Sequence, residues 1–127
     1  MIILPIIQEK LYRKILILLF GIFVGHNVKI GEGLVLPHPN GIVIGNNVII
    51  GTHVTIYQQV TIGRKNGCYP IVRGGSILYP GCKILGGIIV DRGTKVGANA
   101  VLLKSTEYNS TYVGIPAKKC RRDRNDV

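Results

Sequence analysis

A six-residue repeat runs through Ile44-Gly-Asn-Asn-Val48-Ile-Ile50-Gly-Thr-His-Val54-Thr-Ile56-Tyr-Gln-Gln-Val60-Thr-Ile62. Isoleucine recurs at every sixth position from Ile44 to Ile62, and valine recurs four residues after each of the first three. Neither the helical period of about 3.6 nor the strand period of 2 produces this spacing. A fixed internal period indicates stacked units that bury their apolar faces only against one another.

This period, with glycine after the large aliphatic residue, is typical of a parallel β-helix built from hexapeptides. Each hexapeptide supplies a short strand and a corner, and three of them close one triangular coil of about 18 residues. We expect the aliphatic side chains to point inward and to stack at about the 4.8 Å spacing between strands. Glycine at the second position is predicted to permit the backbone angles of the corner.

The repeat begins at Val24 and slips twice. Leu36 and Ile44 are eight residues apart, which is two more than a hexapeptide, and Ile62 and Val72 are ten apart, which is four more. The repeat then continues to Leu102, so we predict between four and five coils. The predicted division is an apolar N-terminal helix (1–23), the β-helix domain (24–103), and an extension with a basic tail (104–127). Within that extension residues 104–113 should leave the repeat, and residues 112–117 should run extended along the column.

The N-terminal segment carries an uncharged run from Ile15 to Val24, too short for the roughly 20 residues that span a bilayer. Its helix could pack across the end of the β-helix or against another subunit. Alternatively, residues 1–23 could make a peripheral membrane contact, with Lys10, Arg13 and Lys14 at the lipid headgroups.

The composition suits one small domain of 127 residues with an aliphatic core, and its net charge of +10 predicts an anionic partner. Nucleic acid is disfavoured because the basic residues gather at the C-terminus and do not alternate with aromatic residues. The three cysteines have no metal-type spacing, and their odd number disfavours a disulfide framework. A reducing, cytoplasmic setting is expected, with Cys82 in the core.

Chemistry is expected where the repeat breaks, because locally consistent sequences depart from their own pattern at functional sites. The first break holds His38 between Pro37 and Pro39, which stiffen the loop. Imidazole titrates near neutral pH, so it suits proton removal from a hydroxyl or amine that attacks a thioester. His26 and His53 lie inside regular hexapeptides and are expected to face solvent. A zinc site on the three histidines is disfavoured because they fall on three different sides of the coils, and no metal is predicted.

Five motifs resemble the serine acetyltransferase branch of the hexapeptide acyltransferases, over residues 24–119. They are His38-Pro-Asn-Gly-Ile-Val-Ile44, Gln58-Gln-Val-Thr-Ile-Gly63, Lys83-Ile-Leu-Gly86, Lys95-Val-Gly-Ala98 and Gly114-Ile-Pro-Ala-Lys118. The resemblance implies an all-β, left-handed parallel β-helix, a homotrimer and acetyl-CoA as acetyl donor. It implies His38 as the general base, in a cleft between subunits. It implies acetyl-CoA contacts from Gly63, Pro80, Lys95, Ala98, Lys118 and Lys119.

The chain departs from the branch at three positions. Pro37 replaces an acidic residue, Tyr69 aligns with a second active-site histidine, and Phe23 aligns with the aspartate that orients the catalytic histidine. These departures disfavour L-serine as acceptor. His38-Pro-Asn-Gly with Gln58-Gln59 and a short loop is more similar to capsule and exopolysaccharide acetyltransferases, so we expect a sugar or polysaccharide-precursor hydroxyl as acceptor. Asn40 and Tyr69 are the candidate acceptor contacts. Serine O-acetylation is the alternative within enzymes, and a non-catalytic trimeric scaffold is the alternative of another class.

Overall fold

The computed structural model describes residues 6–120 and consists of one helix followed by short strands. Helix α1 spans Ile6–Phe20. The strands are β1 (Phe23–Val24), β2 (Lys29–Ile30), β3 (Val43–Ile44), β4 (Ile49–Ile50), β5 (Thr55–Ile56), β6 (Thr61–Gly63), β7 (Ile71–Val72), β8 (Ile77–Leu78), β9 (Lys83–Leu85), β10 (Ile89–Val90), β11 (Lys95–Val96), β12 (Val101–Leu102), β13 (Thr111–Val113) and β14 (Lys118–Lys119).

The strands form three sheets that enclose a column, and all their pairings are parallel except that of β13 with β14. The first sheet has the order β1-β3-β6-β9-β12, the second β10-β7-β4-β2, and the third β14-β13-β11-β8-β5. Successive strands of the first sheet start at residues 23, 43, 61, 83 and 101, so the coils are 20, 18, 22 and 18 residues long. The two long coils contain the two predicted breaks. The predicted all-β coil architecture is therefore confirmed, with about four complete turns.

The core is the stack of inward side chains at the predicted positions. In the first sheet Ile44, Ile62, Ile84 and Leu102 lie in register and are all at most 3% exposed. The smaller residues four positions after the large aliphatic ones, such as Val54, Cys82 and Ala100, are also buried. Burying one such aliphatic side chain stabilises the fold by about 1.5–3 kcal/mol. The first coil is less covered: Val24 on β1 and Ile30 on β2 are only partly buried against the core.

Glycine at the second hexapeptide position has a different role from the one we predicted. Gly31 and Gly51 do not have positive φ angles. Instead, the next coil passes so close that a Cβ on Gly51 would lie 2.6 Å from the backbone nitrogen of Gly74. The corners obtain their left-handed residues elsewhere, for example at Asn47 (φ 59°) and Asn99 (φ 56°). Asparagine tolerates this conformation well, so the expectation about corner angles is wrong for these glycines.

The second break folds into a β-hairpin that projects from the column. Lys65 and Cys68 exchange two backbone hydrogen bonds of 3.1 Å each, and Asn66 and Gly67 both have positive φ. This is the geometry of a type I′ turn, which favours Asn-Gly at its two central positions. The four extra residues of the third coil are therefore accommodated without disturbing the stacked core.

The C-terminal part differs from the expectation for residues 104–117. The chain leaves the six-residue spacing, but Thr111–Val113 returns to the third sheet, where Tyr112 pairs with Val96 and is buried. Residues 114–117 form a turn, and β14 then runs antiparallel to β13. The predicted extended segment along the column is thus wrong. The domain boundary at residue 103 stays a prediction, and the basic tail after Cys120 lies outside the described residues.

Helix α1 lies at the open end of the first coil. Leu16 packs against the core, and the backbone of Ile22 donates a 3.2 Å hydrogen bond to the carbonyl of Leu16. The opposite side of the helix is apolar and exposed, with Leu18 83% exposed. No helix within residues 6–120 is both long enough and apolar enough to cross a membrane. Packing across the end of the column agrees with one of the two predicted roles, and the peripheral membrane contact stays a prediction.

Candidate active site

His38 lies in the turn of the first coil that leads from the third sheet back to the first sheet. We call this edge of the column corner 3; it comprises residues 36–42, 57–60, 79–82 and 97–100. The His38 side chain is exposed, and its Nδ1 lies 3.2 Å from Oε1 of Gln58, one coil further along. Asn40 is next to it: its backbone nitrogen donates to the carbonyl of His38 at 2.8 Å, and its own carbonyl accepts from the nitrogen of Gln59 at 3.0 Å.

An aromatic pair continues corner 3 beyond His38. The ring of Tyr57 meets the His38 ring edge-on, with centroids 6.2 Å apart and planes at 61°. Tyr57 also stacks on Tyr79 of the next coil, at 5.5 Å and 8°. The rings of His38, Tyr57 and Tyr79 form a continuous ladder along corner 3. Nε2 of His38 makes no hydrogen bond to any residue between 6 and 120.

Three of the predicted acetyl-CoA residues lie along the same side of the column. Pro80 and Ala98 are in corner 3, two and three coils beyond His38, and the carbonyl of Pro80 accepts from Asn99 at 2.9 Å. Lys95 is exposed on β11, the third-sheet strand that leads to Ala98. These residues therefore follow one edge of the column from the imidazole towards the later coils.

Lys118 and Lys119 form β14 at the end of the third sheet, on the side that carries Lys95. The hydrogen bond from the Lys119 side chain to the Glu107 carboxylate raises the pKa of Lys119 and occupies one of its donors. Lys118 is exposed. Of the two predicted phosphate contacts, Lys118 is thus the more readily available.

Gly63 and Tyr69 lie at the other edge of the first sheet, where the chain turns into the second sheet. The carbonyl of Gly63 accepts from the nitrogen of Gly86 at 3.0 Å, and Tyr69 follows the hairpin, half-buried. Strand β6 starts at corner 3 and ends at this edge. A single chain therefore does not bring Tyr69 to His38.

Sequence reasoning missed the side chains that surround His38 within the chain. Gln58 lies 20 residues after His38 and Tyr79 lies 22 residues after Tyr57, and these are the lengths of the first and third coils. Lys83 was also missed: its Nζ donates to the carbonyls of Gln59 (3.1 Å) and Gly81 (2.9 Å) and so ties two turns of corner 3 together. Spacing by the length of the intervening coil is the signal that could have identified Gln58 and Tyr79. Lys83 has no such signal, because its two contacts lie 24 and 2 residues away in the chain.

The other two histidines are not part of this site. Nδ1 of His26 lies 2.6 Å from a guanidinium nitrogen of Arg13, which links the first coil to α1. His53 is an exposed corner residue with φ 53°. Across residues 6–120, no group of three or more His, Cys, Asp or Glu side chains could hold a metal ion.

Comparison with known proteins points to one kind of enzyme. Serine acetyltransferase from Bacillus licheniformis is 39% identical over 116 residues, which is 83% of this chain and 54% of that protein. A solved serine acetyltransferase in complex with CoA superposes with a TM-score of 0.82 at 36% identity, covering 89% of this chain and 48% of the other. Soybean serine acetyltransferase complexed with serine gives 0.70 at 34% identity, covering 73% and 40%. No family model matches the sequence.

The chain resembles serine acetyltransferases through its β-helix. It has their left-handed hexapeptide column, as the resemblance of the motifs implied. It spans about half the length of the Bacillus protein and of the CoA-bound protein that it matches.

The comparisons overturn the expected sugar or polysaccharide acceptor. The similar proteins are named serine acetyltransferases at about 40% identity, so the alternative of serine O-acetylation fits better. The departures at Pro37, Tyr69 and Phe23 are therefore not sufficient grounds for excluding serine as the acceptor. Each replaces a single side chain, whereas acceptor choice depends on the shape and contacts of a whole cleft.

Proposed function

We propose that this protein transfers the acetyl group of acetyl-CoA to the hydroxyl of L-serine, with His38 as general base. The observation that carries the proposal is an exposed imidazole at a break in the coil. Its Nδ1 is hydrogen-bonded to Gln58, and its Nε2 has no hydrogen-bond partner among residues 6–120. The support from similar proteins covers the β-helix, at 39% identity to a serine acetyltransferase.

In the proposed reaction, Nε2 of His38 accepts the proton of the serine hydroxyl as the hydroxyl oxygen attacks the thioester carbonyl. The tetrahedral intermediate collapses when the carbon–sulfur bond breaks. The departing thiolate of CoA then takes the proton from the imidazolium, which restores neutral His38. Atoms and charge balance over the cycle, and the products are O-acetylserine and CoA.

Acetyl-CoA would lie along the side of the column that leads away from His38. The backbone of corner 3 at Pro80 and Ala98 is suited to flank the pantetheine arm, since neither residue has a long side chain. Lys95 and Lys118 are exposed on the third sheet and its β14 edge, where they would attract the phosphates. The strongly basic chain, with a net charge of +10, is consistent with this anionic co-substrate.

We further propose that the active unit is a homotrimer with clefts between subunits. Within one chain His38 and Tyr69 lie at different edges of the first sheet. Side-by-side packing of columns would let Gly63 and Tyr69 of one subunit face His38 and Asn40 of the next. A cytoplasmic setting fits because Cys68, Cys82 and Cys120 are all free thiols and acetyl-CoA is a cytoplasmic metabolite.

The test is acetyl-CoA turnover with L-serine, followed by release of free thiol. Two matched variants, His38→Asn and His53→Asn, remove one exposed imidazole each. We expect His38→Asn to lose at least about 100-fold in kcat, the usual contribution of a general base, and His53→Asn to retain wild-type kcat. Equal activity of both variants would remove His38 from the mechanism. Absence of turnover together with absence of CoA binding by calorimetry would favour the scaffold alternative.

A further inference from the structure

The resemblance to serine acetyltransferases leaves one group missing from the proposed site, the acceptor that orients the base. The aligned position holds Phe23, whose ring has no hydrogen-bond acceptor and is 44% exposed on β1. We propose that Gln58 fills this role as a positioning residue for His38. The inference rests on the proposed function, because orienting a base matters only where a proton is transferred.

The geometry has a chemical consequence for the imidazole. The Gln58 amide oxygen, 3.2 Å from Nδ1, can only accept a hydrogen bond, so it selects the tautomer that carries its proton on Nδ1. The lone pair is then on Nε2, which faces away from Gln58. Without this partner the proton is free to move to Nε2, and the ring can also rotate. Either change removes the base from the open side of corner 3.

The Gln58 backbone is held firmly enough to act as a support. Its carbonyl accepts a 3.0 Å hydrogen bond from the nitrogen of Gly81, and the nitrogen of the following residue, Gln59, donates to Asn40 at 3.0 Å. Gln58 is therefore fixed to the coil on each side of it. Tyr57, its other neighbour, limits rotation of the imidazole through the edge-on contact at 6.2 Å. The site thus has a neutral amide and an aromatic edge in place of a carboxylate.

Two matched variants test the inference, since Gln58→Asn and Gln59→Asn shorten neighbouring side chains by the same methylene. Only the first should withdraw the acceptor from His38. We expect Gln58→Asn to lower kcat by about threefold to tenfold, the effect of one neutral hydrogen bond, with KM for acetyl-CoA unchanged. Gln59→Asn should match the wild type, because its side chain does not contact the imidazole.

A third variant, Gln58→Glu, restores an acceptor and adds a negative charge beside Nδ1. Its kcat should return to at least the wild-type level, while the acidic limb of the kcat/KM profile moves upward by about one pH unit. An unchanged acidic limb in Gln58→Glu, or wild-type kcat in Gln58→Asn, would overturn the inference. Thermal unfolding of each variant identifies any that fails to fold, and Gln58→Glu then carries the test.

A readout without turnover separates this inference from the proposed function. The ¹⁵N chemical shifts of the His38 ring report which nitrogen carries the proton in the neutral form. We expect the proton on Nδ1 in the wild type and in Gln59→Asn, and its redistribution towards Nε2 in Gln58→Asn. If the wild type shows no turnover but the tautomer depends on Gln58, the proposed reaction is wrong and the orienting contact is right. If turnover occurs and the tautomer ignores Gln58, only the inference fails.

Discussion

Tyr57 and Tyr79 stack with ring centroids 5.5 Å apart and planes 8° apart, although 22 residues separate them in the chain. The contact spans the longest coil, the one that carries the projecting hairpin. It also joins the edge-on contact between Tyr57 and His38. The aromatic ladder therefore connects the turn that bears the imidazole to the two coils beyond it.

The stack should be measurable as a coupling energy. In a double-mutant cycle, Tyr57→Leu and Tyr79→Leu should show a coupling of about 0.5–1 kcal/mol in the free energy of unfolding, as for an offset aromatic pair. A cycle between Tyr57 and Tyr108, which is exposed and outside the ladder, provides the control and should be additive. Additivity of the Tyr57–Tyr79 cycle, measured by urea unfolding, would show that the stack contributes nothing to stability.

The inward stack can be tested on a single strand. Ile50 is 2% exposed and Ile49 is 39% exposed, and the two are neighbours on β4. Ile50→Ala should lower the free energy of unfolding by about 2–5 kcal/mol, because it removes three buried carbons and leaves a cavity in the column. Ile49→Ala removes the same atoms from the outer face and should have the smaller effect. Equal losses in urea unfolding would contradict the assignment of inward and outward faces.

One carboxylate should make stability depend on pH. Asp91 accepts a 2.8 Å hydrogen bond from the backbone nitrogen of Arg92 and a 3.1 Å bond from the Arg73 side chain, and both lower its pKa. A lowered folded-state pKa stabilises the fold above the unfolded value of about 3.9, and this contribution is lost as pH falls through the folded-state value. The stability difference between wild type and Asp91→Asn should therefore be constant near neutral pH and shrink below about pH 4.

Urea unfolding of the two proteins across this pH range provides the measurement. The comparison with Asp91→Asn cancels titrations that both proteins share. A difference that stayed constant down to about pH 2 would contradict the role of Asp91.

The three thiols should differ sharply in reactivity. Burial raises the pKa of Cys82 to about 12, whereas Cys68 and Cys120 are exposed. Since the thiolate is the reactive form, a thiol reagent near pH 8 should modify two cysteines rapidly and the third only on unfolding. Cys68→Ser should reduce the rapid count to one, and Cys82→Ala should leave it at two. Rapid modification of all three thiols in the native protein would show that the column opens at Cys82.

The repeat by itself determined the column. Aliphatic residues recur every six positions from Ile44 and from Val48. They can all be buried only if each coil stacks on the one before, because an isolated coil of about 18 residues has no interior of its own. The slips at residues 37–43 and 63–71 likewise predicted which turns would hold the extra residues of the two long coils. Extra residues cannot enter a stacked core without breaking its register. The position of His38 outside the core followed from the same count.

Only the tertiary structure decided which side chains meet at the corners. His38 and Gln58 are 20 residues apart, and their contact depends on how the turn at residues 37–43 folds. The six-residue repeat skips this turn, so the repeat alone does not predict the contact. Tyr112 returns to the third sheet after a segment without hexapeptide spacing, because pairing with β11 satisfies its backbone and buries its ring. Periodicity reports the environment of each residue within the stack, whereas a site joins residues from different coils, and their proximity exists only once the column has closed.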